Sequence, residues 1–176
     1  MWTVITKDGR TVTLRFLVRK DKKGLEEFFA SMSAKALEWG NPPYTDEVVD
    51  GWLSNLENMI ALVAIYDKRI VGYAMISKGT RERRKGVGDL AMYLHQGFQN
   101  AGLGTAILSR LLNVAKKEGL HRIGIHVIEG NKIAIHLYEK FGFRREGILK
   151  ESYFGQDGRY HDELVMGLVL SNSQSK

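Results

Sequence analysis

Gln99-Asn100-Ala101-Gly102-Leu103-Gly104-Thr105 spell Q-x-x-G-x-G-T between an apolar alternation and a helical stripe. These residues suit anion chemistry. Glycines let the backbone come close to a ligand, and the first free N–H groups of the helix that follows point where an anion would sit. The same letters also fit a strand-to-helix turn that binds nothing. Two sharper phosphate motifs are excluded by the residues themselves. A P-loop needs Lys and then Ser/Thr after its last glycine, and a dinucleotide fingerprint needs a small residue where Ile107 stands. What remains is a cradle for the phosphate or pyrophosphate of some other cofactor.

Proton-handling groups follow downstream. Tyr138 shares a helix face with Ala134 and Phe141, where it reads as a core aromatic with a titratable hydroxyl. His126 shares a strand face with Gly124, opposite Ile123, Ile125 and Val127; it reads either as a proton acceptor near neutral pH or as a structural histidine. Glu129 precedes a helix start, where an acid also favours the dipole, and Asn131 suits the N-cap. Gly124 is unusual inside a strand, because glycine weakens a strand interior unless something approaches closely.

The run from Val127 to Phe143 contains N-x-x-A-x-x-L-Y-E-K-x-G-F, from Asn131 to Phe143, and it follows Q-x-x-G-x-G in the order and at the distance that resemble the GNAT superfamily of acetyl-CoA-dependent N-acetyltransferases. The resemblance is firm from Ile70 to Phe143, extends to Leu170, and is weak before Met59. It implies acetyl-CoA as donor, with its pyrophosphate on the N–H groups of Gln99 to Thr105. Gln99 stands where many relatives have arginine, losing a charge but keeping a donor. The resemblance further implies that Met92, Tyr93 and Leu94 run beside the pantetheine arm, that the Leu94 N–H donates to the acetyl oxygen, and that Asn131 touches the arm. It makes Tyr138 the general acid that protonates the departing thiolate. His126 matches a position where some relatives place a glutamate base. Glu129 and a water chain remain open as alternatives.

The acceptor implied is a primary amine, either of a polyamine-like small molecule or of a protein N-terminus. The stretch Glu146 to Phe154 with Asp157-Gly158-Arg159-Tyr160 looks like the end of ribosomal-protein and polyamine acetyltransferases. Glu38, Trp39, Tyr44, Glu151, Tyr153, Asp162 and Glu163 offer carboxylates and aromatics that would cradle a cation. A non-catalytic acetyl-CoA sensor is the alternative, and Tyr138 speaks for an enzyme.

The elements that must position these groups are legible from periodicity. Strands are expected at Thr11 to Val18, Met59 to Tyr66, Ile70 to Ser77, Leu90 to His95, His121 to Ile128, Arg144 to Phe154 and Tyr160 to Leu170. Helices are expected at Leu25 to Trp39 with Asp21 as a possible cap, from Thr45 through Trp52, at Leu103 to Glu118 closed by Gly119, and at Asn131 to Lys140 closed by Gly142. This is a mixed α/β (α+β) protein. The resemblance makes the sheet predominantly antiparallel, flanked by about four helices, with the fourth and fifth strands (Leu90 to His95 and His121 to Ile128) splayed around the cofactor.

Residues 1–170 read as one N-acetyltransferase domain and 171–176 as a polar C-terminal tail. Without cysteine there is no disulfide framework, thiolate metal site or cysteine nucleophile, and the five histidines are not set with acids at metal-ligand spacing. The chain lacks both a membrane-span run and a signal-peptide h-region, so a cytoplasmic location is expected. The net charge of +6 suits a solvated basic surface and a polyphosphate ligand. Nucleic acid is not the expected partner, because the densest basic cluster, Arg81 to Lys85, is one short loop with an acid inside it. The sequence does not specify oligomeric state, a homodimer included.

Overall fold

The computed structural model describes residues 1–170, so the polar tail at 171–176 lies outside the described residues. Eight strands form one sheet: β1 (Trp2–Ile5), β2 (Thr11–Phe16), β3 (Met59–Tyr66), β4 (Arg69–Lys78), β5 (Val87–Leu94), β6 (Arg122–Ile128), β7 (Arg144–Phe154) and β8 (Tyr160–Val169). Their spatial order is β1-β2-β3-β4-β5-β6-β8-β7. Every neighbouring pair is antiparallel except β5 and β6, which run parallel and are paired only from Val87↔Arg122 to Asp89↔Gly124. Beyond that point the two strands diverge. The sheet is therefore mixed and mostly antiparallel, as expected.

Helices cover both faces. On one side α3 (Leu103–Lys117) and α4 (Lys132–Lys140) press Leu103, Ile107, Leu108, Leu111, Ile135 and Tyr138 against Ile60, Leu62, Ile76, Ile123, Ile125 and Met166. On the other, α1 (Lys22–Ala30) and α2 (Asp46–Ser54) bury Leu25, Phe28, Phe29, Val49 and Leu53 against Ala61, Val63 and Tyr73. Strand alternation sorts the two sets, because successive side chains point to opposite faces. Among the described residues no helix is long and apolar enough to cross a membrane.

Three expectations need correction. The strand at Thr11 is the second, not the first: Trp2–Ile5 precedes it and pairs with it from Trp2↔Leu14 to Ile5↔Thr11. Four residues of alternating exposure are too short to stand out by period alone. The first helix ends at Ala30 instead of reaching Trp39. Its ladder stops because the Ser31 carbonyl accepts from Gln96 Nε2 and the Ser33 N–H donates to Gln96 Oε1, both at 3.1 Å. Asp21 makes no side-chain cap. It is 8% exposed and accepts two hydrogen bonds of 2.6 Å from Arg15 and one of 3.0 Å from the Val18 N–H. Burial alone would raise its pKa, but these donors outweigh it and hold the carboxyl below its ordinary range.

Candidate active site

The divergence of β5 from β6 leaves main-chain donors without ladder partners. The His95 N–H donates to Val71 O (3.0 Å) and the Gly79 N–H to Val87 O (2.8 Å). Since directly bonded pairs alternate along an antiparallel ladder, Val87, Asp89, Ala91, Tyr93 and His95 turn their amides toward β4. Met92 and Leu94 therefore turn theirs toward β6, past the last paired position at Asp89↔Gly124. Gly124 sits at the fork itself, where a Cβ would lie 3.1 Å from Asp89 Oδ1.

The segment after β5 turns sharply into α3. Gly102 is its N-cap in the left-handed region (φ 81°), which a side chain would strain, and it offers no side-chain cap. The first bond closed at this end is Ala106 N–H to Gly102 O (3.2 Å), so the N–H groups of Leu103, Gly104 and Thr105 have no helical acceptor. Asn100 (φ 58°) precedes them, and the Ala101 carbonyl accepts from the Lys7 N–H (2.9 Å). Gly104 lets α3 approach the sheet: a Cβ there would stand 3.1 Å from Leu94 Cδ1. Three orphan donors with the positive end of a 15-residue helix behind them form a seat for an anion. Gln99 does not point its amide into this seat, since its Nε2 reaches Leu94 O at 3.4 Å.

A cleft of about 480 Å³ runs through the fork, lined by Ala91, Met92 and Tyr93 of β5, by 125–128 of β6, and by Asn131, Ala134 and Tyr138. Tyr138 is 4% exposed, and burial alone pushes its phenol well above the ordinary value, so it is protonated at neutral pH. Its ring leans on Phe143 at 5.6 Å. Asn131 caps α4, its Oδ1 accepting from the Ala134 N–H (3.2 Å), and lines the cleft as well.

The sheet separates Tyr138 from His126. Tyr138 belongs to the α3/α4 core. His126 alternates with buried Ile125 and Val127 and faces the other way, with Nδ1 3.5 Å from Glu163 Oε2. Ser152 Oγ donates to the same carboxylate oxygen at 3.3 Å. Trp39, Tyr153, Asp89 and Arg84 complete the cleft wall. Tyr153 donates its hydroxyl to Gly40 O (2.7 Å), fastening the segment that carries Trp39.

Of the residues singled out in the sequence, the cleft thus gathers Met92, Tyr93, His126, Asn131 and Tyr138, with Trp39, Tyr153 and Glu163 also on its wall. Others lie apart from its wall. Glu129 is exposed and donates its N–H to Asp162 O (2.9 Å), while Asp162 takes Lys150 Nζ (2.7 Å) and the Glu151 N–H (3.0 Å). Glu38 pairs with Lys35, and Tyr44 packs on Phe29 (4.2 Å) and Tyr93 (5.2 Å) inside the aromatic cluster. Asp89 and Arg84 were not legible as cleft residues, since nothing in their spacing reveals that the fork begins beside them.

The chain is similar to known proteins in both sequence and fold. The sequence pattern of the acetyltransferase (GNAT) family matches residues 25–143. Among curated relatives, the L-amino acid N-acetyltransferase AaaT of Escherichia coli (strain K12) is 25% identical over 90% of this chain and 98% of its own length. The ribosomal protein bS18 alanine N-acetyltransferase of the same organism is 36% identical over 42% of this chain and 49% of its own. A solved GNAT-family acetyltransferase from Streptococcus pneumoniae superposes with a TM-score of 0.79 at 26% identity, covering 90% of this chain and 99% of that one.

Proposed function

The chain belongs to the acetyltransferase (GNAT) family, and from that premise we propose that it transfers the acetyl group of acetyl-CoA directly to a primary amine bound on the opposite side of the β5/β6 fork. The observation that carries this reading is the fork itself: the amides of Met92 and Leu94 turn away from β4 where β6 has left them, and a buried protonated phenol lines the same cleft. The anion seat at Gly102 to Thr105 suits the diphosphate of the donor.

The residues would divide the work as follows. The Leu94 N–H stabilises the negative charge that grows on the acetyl oxygen as the amine nitrogen attacks. The new C–N bond forms as the C–S bond breaks. His126, kept in place by Glu163, accepts the proton shed by the amine, and Tyr138 gives its phenolic proton to the departing sulfur. With acid and base on opposite faces of the sheet, neither has to serve both ends of the reaction.

Glu163 places a carboxylate on the acceptor side, with Trp39 and Tyr153 as walls, while Asp89 is paired with Arg84 at 4.0 Å. This supports a cationic amine as acceptor. A polyamine-like small molecule and a protein N-terminus are the two classes that fit; one full-length relative is named for amino acids and a partial one for an alanine of a ribosomal protein. An acceptor nitrogen with a pKa near 10.4 depends on a base more than an α-amine near 8 does.

The test is to incubate the chain with acetyl-CoA and separate panels of polyamines, amino acids and ribosomal-protein N-terminal peptides, following free thiol and the mass of the product. Amine-dependent thiol release with a gain of one acetyl group is expected. Tight acetyl-CoA binding without release for any amine would leave an acetyl-CoA sensor instead.

A further inference from the structure

The seat at the mouth of α3 lacks a cation of its own. From Gln96 to Ser109 the chain has no Lys or Arg. Gln99 carries no charge and spends its amide on Leu94 O. The donor proposed above carries several phosphate charges, and main-chain N–H groups alone supply only partial ones.

The turn between β1 and β2 brings a full charge to this place. It is fixed to the segment before α3 at three points: the Lys7 N–H donates to Ala101 O (2.9 Å), Arg10 Nη2 donates to Gly97 O (2.8 Å), and the Arg10 guanidinium lies 3.7 Å from the centre of the Phe98 ring. With the backbone held so, the Lys7 stem lies across Gly102. A Cβ on that glycine would be 3.5 Å from Lys7 Cγ, 3.9 Å from Cδ and 3.7 Å from Cε. The acid next door is committed elsewhere, since Asp8 takes Thr6 Oγ1 at 2.5 Å and both Arg10 Nε (3.0 Å) and Nη2 (2.5 Å). No ion pair among the described residues holds Lys7. The turn also lies outside residues 25–143, the span that matches the family pattern.

We propose that Lys7 is a phosphate-binding residue for the acyl-CoA donor, delivered by the β1–β2 turn to the N-terminus of α3, where the Gln96 to Ser109 segment supplies no cation of its own. This rests on the reading that the chain binds acetyl-CoA, and it adds a residue that the family pattern does not contain. The phosphate contacted is either the diphosphate or the 3′-phosphate of the donor, which present the same chemistry to an ammonium group.

The test is calorimetry of acetyl-CoA on the full chain with wild type, Lys7→Met and Lys7→Arg. Methionine keeps much of the stem over Gly102 and removes the charge, and arginine keeps the charge. Lys7→Met is expected to weaken acetyl-CoA binding about 10-fold and flatten its dependence on salt, with Lys7→Arg within about threefold of wild type. The same titrations with 3′-dephospho-acetyl-CoA locate the contact. If the Lys7→Met loss disappears there, Lys7 holds the 3′-phosphate; if it persists, Lys7 holds the diphosphate; both support the proposal. Equal affinity of Lys7→Met and wild type for acetyl-CoA, with wild type binding, overturns the proposal and leaves the functional reading standing. No heat with wild type overturns both.

Discussion

His126 and Glu163 face each other across β6 and β8, with 3.5 Å between Nδ1 and the nearer carboxylate oxygen, on the side of the sheet away from Tyr138. The imidazole is half exposed to the cleft and the carboxylate is largely covered, so one ring nitrogen stays open to the cleft while the other faces the carboxylate. In the proposed mechanism this pair is a base oriented by an acid. His126→Ala is therefore expected to lower kcat/KM for the best amine about 10²-fold or more, with acetyl-CoA affinity within twofold of wild type. Glu163→Gln should cost less, because it leaves the accepting nitrogen in place. Steady-state thiol release checks both, and a wild-type rate for His126→Ala would point to a water chain as the proton acceptor.

In the proposed mechanism Tyr138 acts at the other end, on the departing sulfur. Removing its hydroxyl while keeping the ring on Phe143 isolates the proton it donates. Tyr138→Phe is expected to reduce kcat about 10²- to 10⁴-fold without weakening acetyl-CoA binding or lowering Tm. An unchanged kcat, with the variant folded, would reduce Tyr138 to a core aromatic.

Stability carries a separate signature at Arg15 and Asp21. The folded-state pKa of Asp21 lies below its unfolded value near 4, so the stability it contributes is complete above about pH 4 and is lost as pH falls through the folded pKa. Asp21→Asn is expected to destabilise the chain by about 2 kcal/mol at pH 7, between the effects of breaking a buried and a surface pair. Thermal melts from pH 7 to pH 2 should show the gap between wild type and variant closing in acid. A gap of constant size would mean that the bidentate pairing contributes nothing through ionisation.

Much of this architecture was legible because its signals are local. Met59–Tyr66 announced itself as a continuous apolar run and the closing hairpin by its turn Gln156-Asp157-Gly158-Arg159, Gly119 and Gly142 ended their helices with φ of 79° and 90°, and Asn131 both caps α4 and lines the cleft. What escaped depends on distant partners. The end of α1 at Ala30 is set by Gln96, whose side chain takes the Ser31 carbonyl and the Ser33 N–H. Asp21 looked like a cap by position, but Arg15 claims it from the preceding strand. Asp89 and Arg84 reach the cleft because β5 and β6 part beside them, and Lys7 reaches Gly102 because a hairpin turn folds onto a loop far along the chain. No period or motif encodes such contacts.

In the proposed function the acetyl donor lies in the β5/β6 fork, with its carbonyl at the Leu94 amide and its phosphates on the first turn of α3. Titrating isotope-labelled protein with acetyl-CoA while following amide resonances tests this directly. The amides of Met92, Leu94, Gly102, Leu103, Gly104 and Thr105 are expected to move together with one affinity, and desulfo-CoA, which lacks the acetyl group, is expected to leave the Leu94 amide nearly still while moving the α3 set. Saturable shifts confined to other parts of the chain, or an α3 set that stays fixed while acetyl-CoA binds, would contradict it.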